Sequence, residues 1–253
     1  MSTFTPQPGG APLPRQVVAQ AAMESRLMLR NGEQLLLAVV IPIIVLFGGV
    51  EAAKHVSLKL AASPVDVFTP GVLALAVMST AFTSLAIATG FERRYGVIKR
   101  LGASPLPRSG LLMGKVGGLL LVEVLQIGVL CIVAAFLGWS PAPGVAGAVL
   151  AVVVGTAAFA SLGLFLAGAL RAEATLAAAN LVYLLLLAGG AVVLPASSYG
   201  AFGKVVEWLP SGALGIMMRR ALIDDRIAWV SLLVLLGWAA LGTVLTARTF
   251  KWE

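Results

Sequence analysis

Charge is what this chain has least of. Only 11% of its 253 residues are Asp, Glu, Lys or Arg, where a soluble domain carries roughly 25%. That deficit excludes a solvated globule. Cysteine is nearly absent too. Cys131 stands alone inside an apolar run, so no intrachain disulfide can form, and the thiol reads as a small packing residue. His55 is the only histidine and falls in a polar connection, which leaves a His/Cys metal centre without ligands. Serines are plentiful, but the histidine is remote from them and the acids are scattered between loops, so no catalytic residue is assigned. Met1 to Pro14 is a Thr/Pro/Gly stretch with no charge before Arg15. It lacks the basic start and apolar core of a signal peptide and reads as a disordered tail over residues 1–14.

Apolar residues are what the chain has in excess: 59% of the total, with mean hydropathy +0.98. They fall in runs near or above the ~18–20 residues that cross a bilayer as helix. The expected fold is therefore all-α: a polytopic membrane protein whose immediate partner is the lipid bilayer. Net charge is +7 and pI about 10.1, which in a soluble chain would point to nucleic acid. Here the basic residues collect in loops, where they orient the protein and meet anionic headgroups. No basic face studded with aromatics is present to stack bases, so nucleic acid is not an expected partner.

Residues 15–33 read as an interfacial amphipathic helix ahead of a transmembrane domain over 34–253. At 100° per residue, Val17, Val18, Ala21, Ala22, Ser25, Met28 and Leu29 share an arc of about 140°. Gln16, Gln20, Glu24, Arg26 and Arg30 lie opposite, with Met23 and Leu27 interrupting them. Asn31-Gly32 is a natural stop. Six spans follow, at about Gln34–Val50, Pro70–Thr89, Leu111–Trp139, Gly144–Leu170, Leu176–Leu194 and Ala228–Ala247. Pro42 bends the first, because proline removes a helix hydrogen bond. With the N-terminus inside, twelve of the 18 basic residues fall on the cytoplasmic side and six outside, which puts both termini in the cytoplasm. Between the fifth and sixth spans, residues 195–226 hold two apolar pieces, Ala201–Leu209 and Ser211–Ile223, each too short to span. They read as two short helices dipping into the outer leaflet, with a seventh span as the alternative.

Four features invite a functional reading. Gly110-Leu111-Leu112-Met113-Gly114-Lys115-Val116 looks like a phosphate loop, but three residues separate the glycines where four are required, and Val116 replaces the Ser/Thr that would hold magnesium. It does not bind ATP. Gly114 and Gly118 make one GxxxG spacing, a weak pointer to a helix contact in a chain with 28 glycines. Glu123 is the one acid deep inside a span, with Gln126 about a helical turn away. Such a residue either serves a transport path or seals a helix contact. Asp224-Asp225 beside Arg226 form a solvated helix end rather than a metal site.

The remaining feature is a basic loop between the second and third spans. It holds Glu92-Arg93-Arg94, Gly96, Lys99-Arg100-Leu101, Ser104-Pro105-Leu106 and Arg108. This pattern resembles the signature of ABC-2 type permeases, in which an acid and arginines, a glycine, a basic turn with leucine, and Ser/Thr-Pro-Leu follow one another. The chain departs from it at Val97, where the family often has Thr or Ser. The resemblance implies a transmembrane half-transporter that pairs with a second permease, itself or a sister chain, and with a separate nucleotide-binding ATPase. ATP and magnesium would sit on that ATPase; this chain would bind no cofactor and would not be an enzyme. In such proteins the loop, here 91–108, is the coupling segment that docks on the ATPase. Glu92, Arg93, Arg94, Gly96, Lys99, Arg100, Leu101, Ser104 and Pro105 would carry that role. The nearest likeness is to small antibiotic and drug exporter permeases of the bacterial cell membrane, so the expected cargo is hydrophobic or amphipathic. The alternatives are an ion-coupled secondary transporter working through Glu123 and a membrane-integral enzyme or assembly factor.

Overall fold

Long apolar runs without hydration must satisfy their own backbone groups, and the helix does this within a single segment. The computed structural model describes residues 11–55, 62–101 and 106–250, and among these there is no strand. Helix α1 runs Leu13–Arg30, with Pro14 in its first turn, where a missing N–H costs nothing. Of the expected tail over residues 1–14, residues 1–10 lie outside the described residues, while Leu13 and Pro14 already belong to α1. Helix α2, Gly32–His55, is the first span and continues through Pro42.

The second span is one thirty-one-residue run, Pro64–Arg94. It comprises α3 (Pro64–Met78), a π-helical segment (Ser79–Ser84) and α4 (Leu85–Arg94). Ser63 caps its start by accepting the Asp66 N–H at 3.2 Å, with the Asp66 carboxylate in the first turn, where the helix dipole favours it. A turn at Tyr95-Gly96, with Gly96 at φ +69°, leads to the short α5 (Val97–Leu101). The remaining spans are α6 (Arg108–Phe136), α7 (Val145–Ala169), α8 (Ala172–Gly189) and α11 (Trp229–Thr249). Among the described residues, six helices are long and apolar enough to cross a membrane.

The second span is the axis of the bundle, with every residue from Val67 to Met78 buried. Phe82 meets Phe159 of α7 edge to face, ring centres 6.4 Å apart. Leu75, Met78, Leu214 and Met217 belong to the same buried core.

Between α8 and α11 come a 3₁₀ turn (Ala196–Phe202), the four-residue α9 (Gly203–Val206) and α10 (Pro210–Asp224). Helix α10 has fifteen residues and is not among the six crossing helices. It packs against α3 and α7, with Leu214 against Gly155. Its Arg219 is buried and clasps the chain that follows α8. The guanidinium donates to the carbonyls of Val192 and Val193 at 2.8 and 2.5 Å and reaches that of Ala191 at 3.4 Å. Those carbonyls have left the helix and would otherwise be orphaned. Gly71 and Gly215 leave room for the clasp, since a Cβ on either would fall within 3 Å of the guanidinium.

Candidate functional site

The basic loop is braced to the bundle by its first residues and exposed at its turn. Arg93 turns inward and donates to the carbonyls of Ala167, Gly168 and Leu170 at 2.5, 2.6 and 2.9 Å. These are the unsatisfied acceptors at the C-terminal end of α7, where a cation is also favoured by the helix dipole. Arg94 pairs with Glu173 in the first turn of α8. Glu92 points to the base of α6, where its carboxylate lies 2.5 Å from the Lys115 ammonium. Gly96 supplies a left-handed turn that a side chain would strain, and Ile98 of α5 is fully buried. Tyr95, Lys99 and Arg100 are exposed beside Arg94, and Leu101 is half-buried. Ser104 and Pro105 lie outside the described residues. Of the sequence-predicted loop residues, Glu92, Arg93, Arg94 and Gly96 fix the loop, joined by the buried Ile98, while Lys99 and Arg100 present charge outward.

Sequence reasoning missed the centre of this arrangement. Lys115 is only 3% exposed along its side chain and lies between two carboxylates, Glu24 at 3.0 Å and Glu92 at 2.5 Å. Gln20 adds a hydrogen bond to Glu24 at 2.8 Å. One ammonium thus ties α1, α4 and α6 together. The signal was present: a lysine inside an apolar span requires a partner. The glycines beside it are explained by the same contact. A Cβ on Gly114 would come within 2.4 Å of the Gln20 side chain, and one on Gly118 within 2.7 Å of Glu24. The GxxxG spacing is therefore the seat of α1 within this chain. The expected orientation of α1 is corrected accordingly. Gln20 and Glu24 are buried, whereas Val18 is 67% exposed and Leu27 and Leu29 also face outward. Around a membrane protein lipid takes the apolar side chains, and the polar ones turn to the partner the protein offers.

Glu123 and Gln126 join helices. Glu123 is fully buried and accepts a 2.6 Å hydrogen bond from the Thr156 hydroxyl of α7. Its second oxygen has no partner among the described residues. Gln126 accepts from Thr80 of the π-helical segment at 2.9 Å and donates its amide to the Ala38 carbonyl of α2. That carbonyl is the one freed by Pro42, four residues on, which has no N–H to offer it. Gln126 replaces the lost helix bond from a neighbouring span.

A cavity of about 610 Å³ opens between α2, the second span and α8. Ser79, Thr83, Ser84, Asn180 and Tyr183 supply its polar side, and Ile41, Ile87 and Leu176 the apolar one. The Thr83 hydroxyl is buried and has no partner among the described residues. Neither Glu123 nor Gln126 lines this cavity. Asp224 pairs with Arg220 at 3.0 Å, and among the described residues no group of His, Cys, Asp and Glu could hold a metal.

The family model for ABC-2 family transporter proteins matches residues 54–248. The match takes in the last five spans, the basic loop and α10; it leaves out α1 and most of α2. Among the curated proteins none matches. ABC-2 membrane domains are transmembrane permeases and are not themselves catalytic. With well over half of its length matched, the chain belongs to the ABC-2 family of transporter membrane proteins.

Proposed function

We propose that this permease works as half of an ATP-driven exporter of hydrophobic or amphipathic compounds, with the ATPase docking on Tyr95, Lys99 and Arg100 of the exposed turn. The bracing of the loop carries this reading. Glu92, Arg93 and Arg94 connect it to α6, to the end of α7 and to the start of α8. A displacement applied to the exposed turn would therefore reach four spans as one rigid movement. ATP and magnesium would be held by the separate nucleotide-binding subunit. The cavity between α2 and α8 suits a cargo with one polar and one apolar side. Only 17% of the apolar window in either helix is buried, which leaves that side available to a second permease, identical or sister. The excess of basic residues on the side of α1 and the loop supports cytoplasmic termini in a bacterial cell membrane.

The test is charge reversal at the exposed turn. Lys99→Glu combined with Arg100→Glu should leave insertion intact. It should weaken retention of the co-expressed ATPase at least tenfold, since a charge-assisted contact contributes about 1.5–3 kcal/mol. Unchanged ATPase retention and transport would sink the docking role. The proton-coupled alternative through Glu123 finds less support, because Glu123 is sealed between α6 and α7 away from the cavity.

A further inference from the structure

A hollow of about 160 Å³ lies beside Lys115, lined by Glu24, Leu27 and Met28 of α1, Glu92 of α4, and Lys115 and Leu119 of α6. Asn31 and Ala88 line both this hollow and the 610 Å³ cavity between α2 and α8, so the two spaces meet there. Charge inside the hollow does not balance. Glu24 and Glu92 bring two carboxylates and Lys115 one ammonium, and among the described residues no second cation pairs with either carboxylate. The arginines next to Glu92 are committed elsewhere, Arg93 to the carbonyls at the end of α7 and Arg94 to Glu173. Nor does the lysine saturate Glu92. The Glu92 Oε2 lies 2.5 Å from the ammonium as an ion pair, yet it is buried with no partner in hydrogen-bond geometry among the described residues.

Water screens this surplus poorly, since Lys115 and Glu24 are both buried, and a buried charge requires a partner of opposite sign. What the hollow lacks is one positive charge with an N–H to give. Farther along the same space lies the unpartnered Thr83 hydroxyl, among apolar walls. We propose that the joined space binds an amphipathic organic cation, whose ammonium enters the hollow and donates to Glu92 while its apolar body lies along Ile41, Ile87 and Leu176. This rests on the reading of the cavity as the cargo site, and it narrows the cargo to protonated amines. Lys115 then serves selection as well as assembly. By neutralising one carboxylate and not both, it leaves a single negative charge, which matches a monovalent amine and repels a compound bearing a carboxylate.

The experiment uses the full chain in phosphatidylcholine nanodiscs without any ATPase, with the signal of empty nanodiscs subtracted. Two fluorescent probes share one body. Octane-diamine dansylated at one end keeps a free ammonium, and the dansylated amino-alcohol of the same length is neutral. Wild type should bind the amine at least about tenfold tighter than the alcohol, the effect of one charge-assisted hydrogen bond. Glu92→Gln keeps the length of the side chain and removes the surplus charge, so the two probes should bind about equally. Glu24→Gln should act in the same way and replaces it if the first variant does not insert. A role confined to holding α1 would leave the amine-to-alcohol ratio unmoved in both. Ser84→Phe, which fills the cavity away from the carboxylates, should weaken both probes alike, and Ile41→Trp does so from the α2 wall. Equal binding of the two probes by wild type, or a preference that survives both glutamine variants, would overturn the proposal and leave the cavity as the cargo site. Binding of neither probe, or binding that neither filled variant weakens, would overturn the cavity reading and the proposal with it.

Discussion

Removing the Lys115 ammonium should detach α1. Lys115→Met keeps the length and apolar stem of the side chain but leaves Glu24 and Glu92 facing each other, each having lain within 3.0 Å of the same nitrogen. Breaking a buried ion pair by deleting one partner costs about 3–5 kcal/mol. For a chain of this size, each kcal/mol moves the melting temperature by about 2–4 °C, so a fall on the order of 10 °C is expected. Lys115→Arg retains the charge and should recover most of the loss. The triple variant with Glu24→Gln and Glu92→Gln should also recover it, because a neutral set leaves no uncompensated charge.

Melting alone would not say which helix moved. Gly117 faces Ala21 of α1, and a Cβ at Gly117 would lie 3.2 Å from that of Ala21, close to disulfide geometry. On a Cys131→Ala background, Gly117→Cys with Ala21→Cys should cross-link readily. The same pair should cross-link poorly once Lys115→Met is added. If Lys115→Met melts within a degree or two of wild type and cross-links equally well, Lys115 does not hold α1 and the argument fails.

Glu123→Gln should preserve ATP-dependent transport, because Gln can still accept the Thr156 hydroxyl; loss of a pH-driven flux in vesicles, with folding intact, would restore the ion-coupled alternative. Arg219→Met should destabilise the segment after α8, since each buried carbonyl left unsatisfied costs about 1–3 kcal/mol, and a thermal midpoint equal to wild type would refute the clasp. Topology is checked with single cysteines on the Cys131→Ala background. Positions 2 and 253 should be shielded from an impermeant reagent and positions 55 and 198 labelled, and external labelling of position 253 would support a seventh span and refute the six-span topology.

Much of the fold was legible because hydropathy measures the same quantity the bilayer selects. Span four was expected at Gly144–Leu170 and is Val145–Ala169; span six was expected at Ala228–Ala247 and is Trp229–Thr249. Errors arose where tertiary partners extend or shorten a helix. The second span was expected to stop at Thr89 but continues to Arg94, because Lys115 and the end of α7 accommodate Glu92 and Arg93 within the bundle. The fifth was expected to end at Leu194 but ends at Gly189. The apolar residues Ala191, Val192 and Val193 are spent in a non-helical stretch whose carbonyls Arg219 collects. Nothing in the local sequence announces an arginine from a later helix.

The candidate site was half legible for a related reason. The loop could be found by its charge, but the division between charges that brace and charges that face outward depends on partners far away in the chain. An amphipathic reading of α1 places Gln20 and Glu24 on the outer side, a rule derived for helices in water. In this protein lipid takes the place of water, and a carboxylate beside it must find a cation inside. Gln126 shows the same logic applied to backbone. Pro42 frees a carbonyl within α2, lipid cannot satisfy it, and the amide of Gln126 does so while accepting from Thr80. The polar residues of the α1 and α6 faces thus mark the places where one helix supplies what its neighbour lacks. Lys115 between its two carboxylates is the largest such place, and it lies where the interfacial helix meets the braced loop.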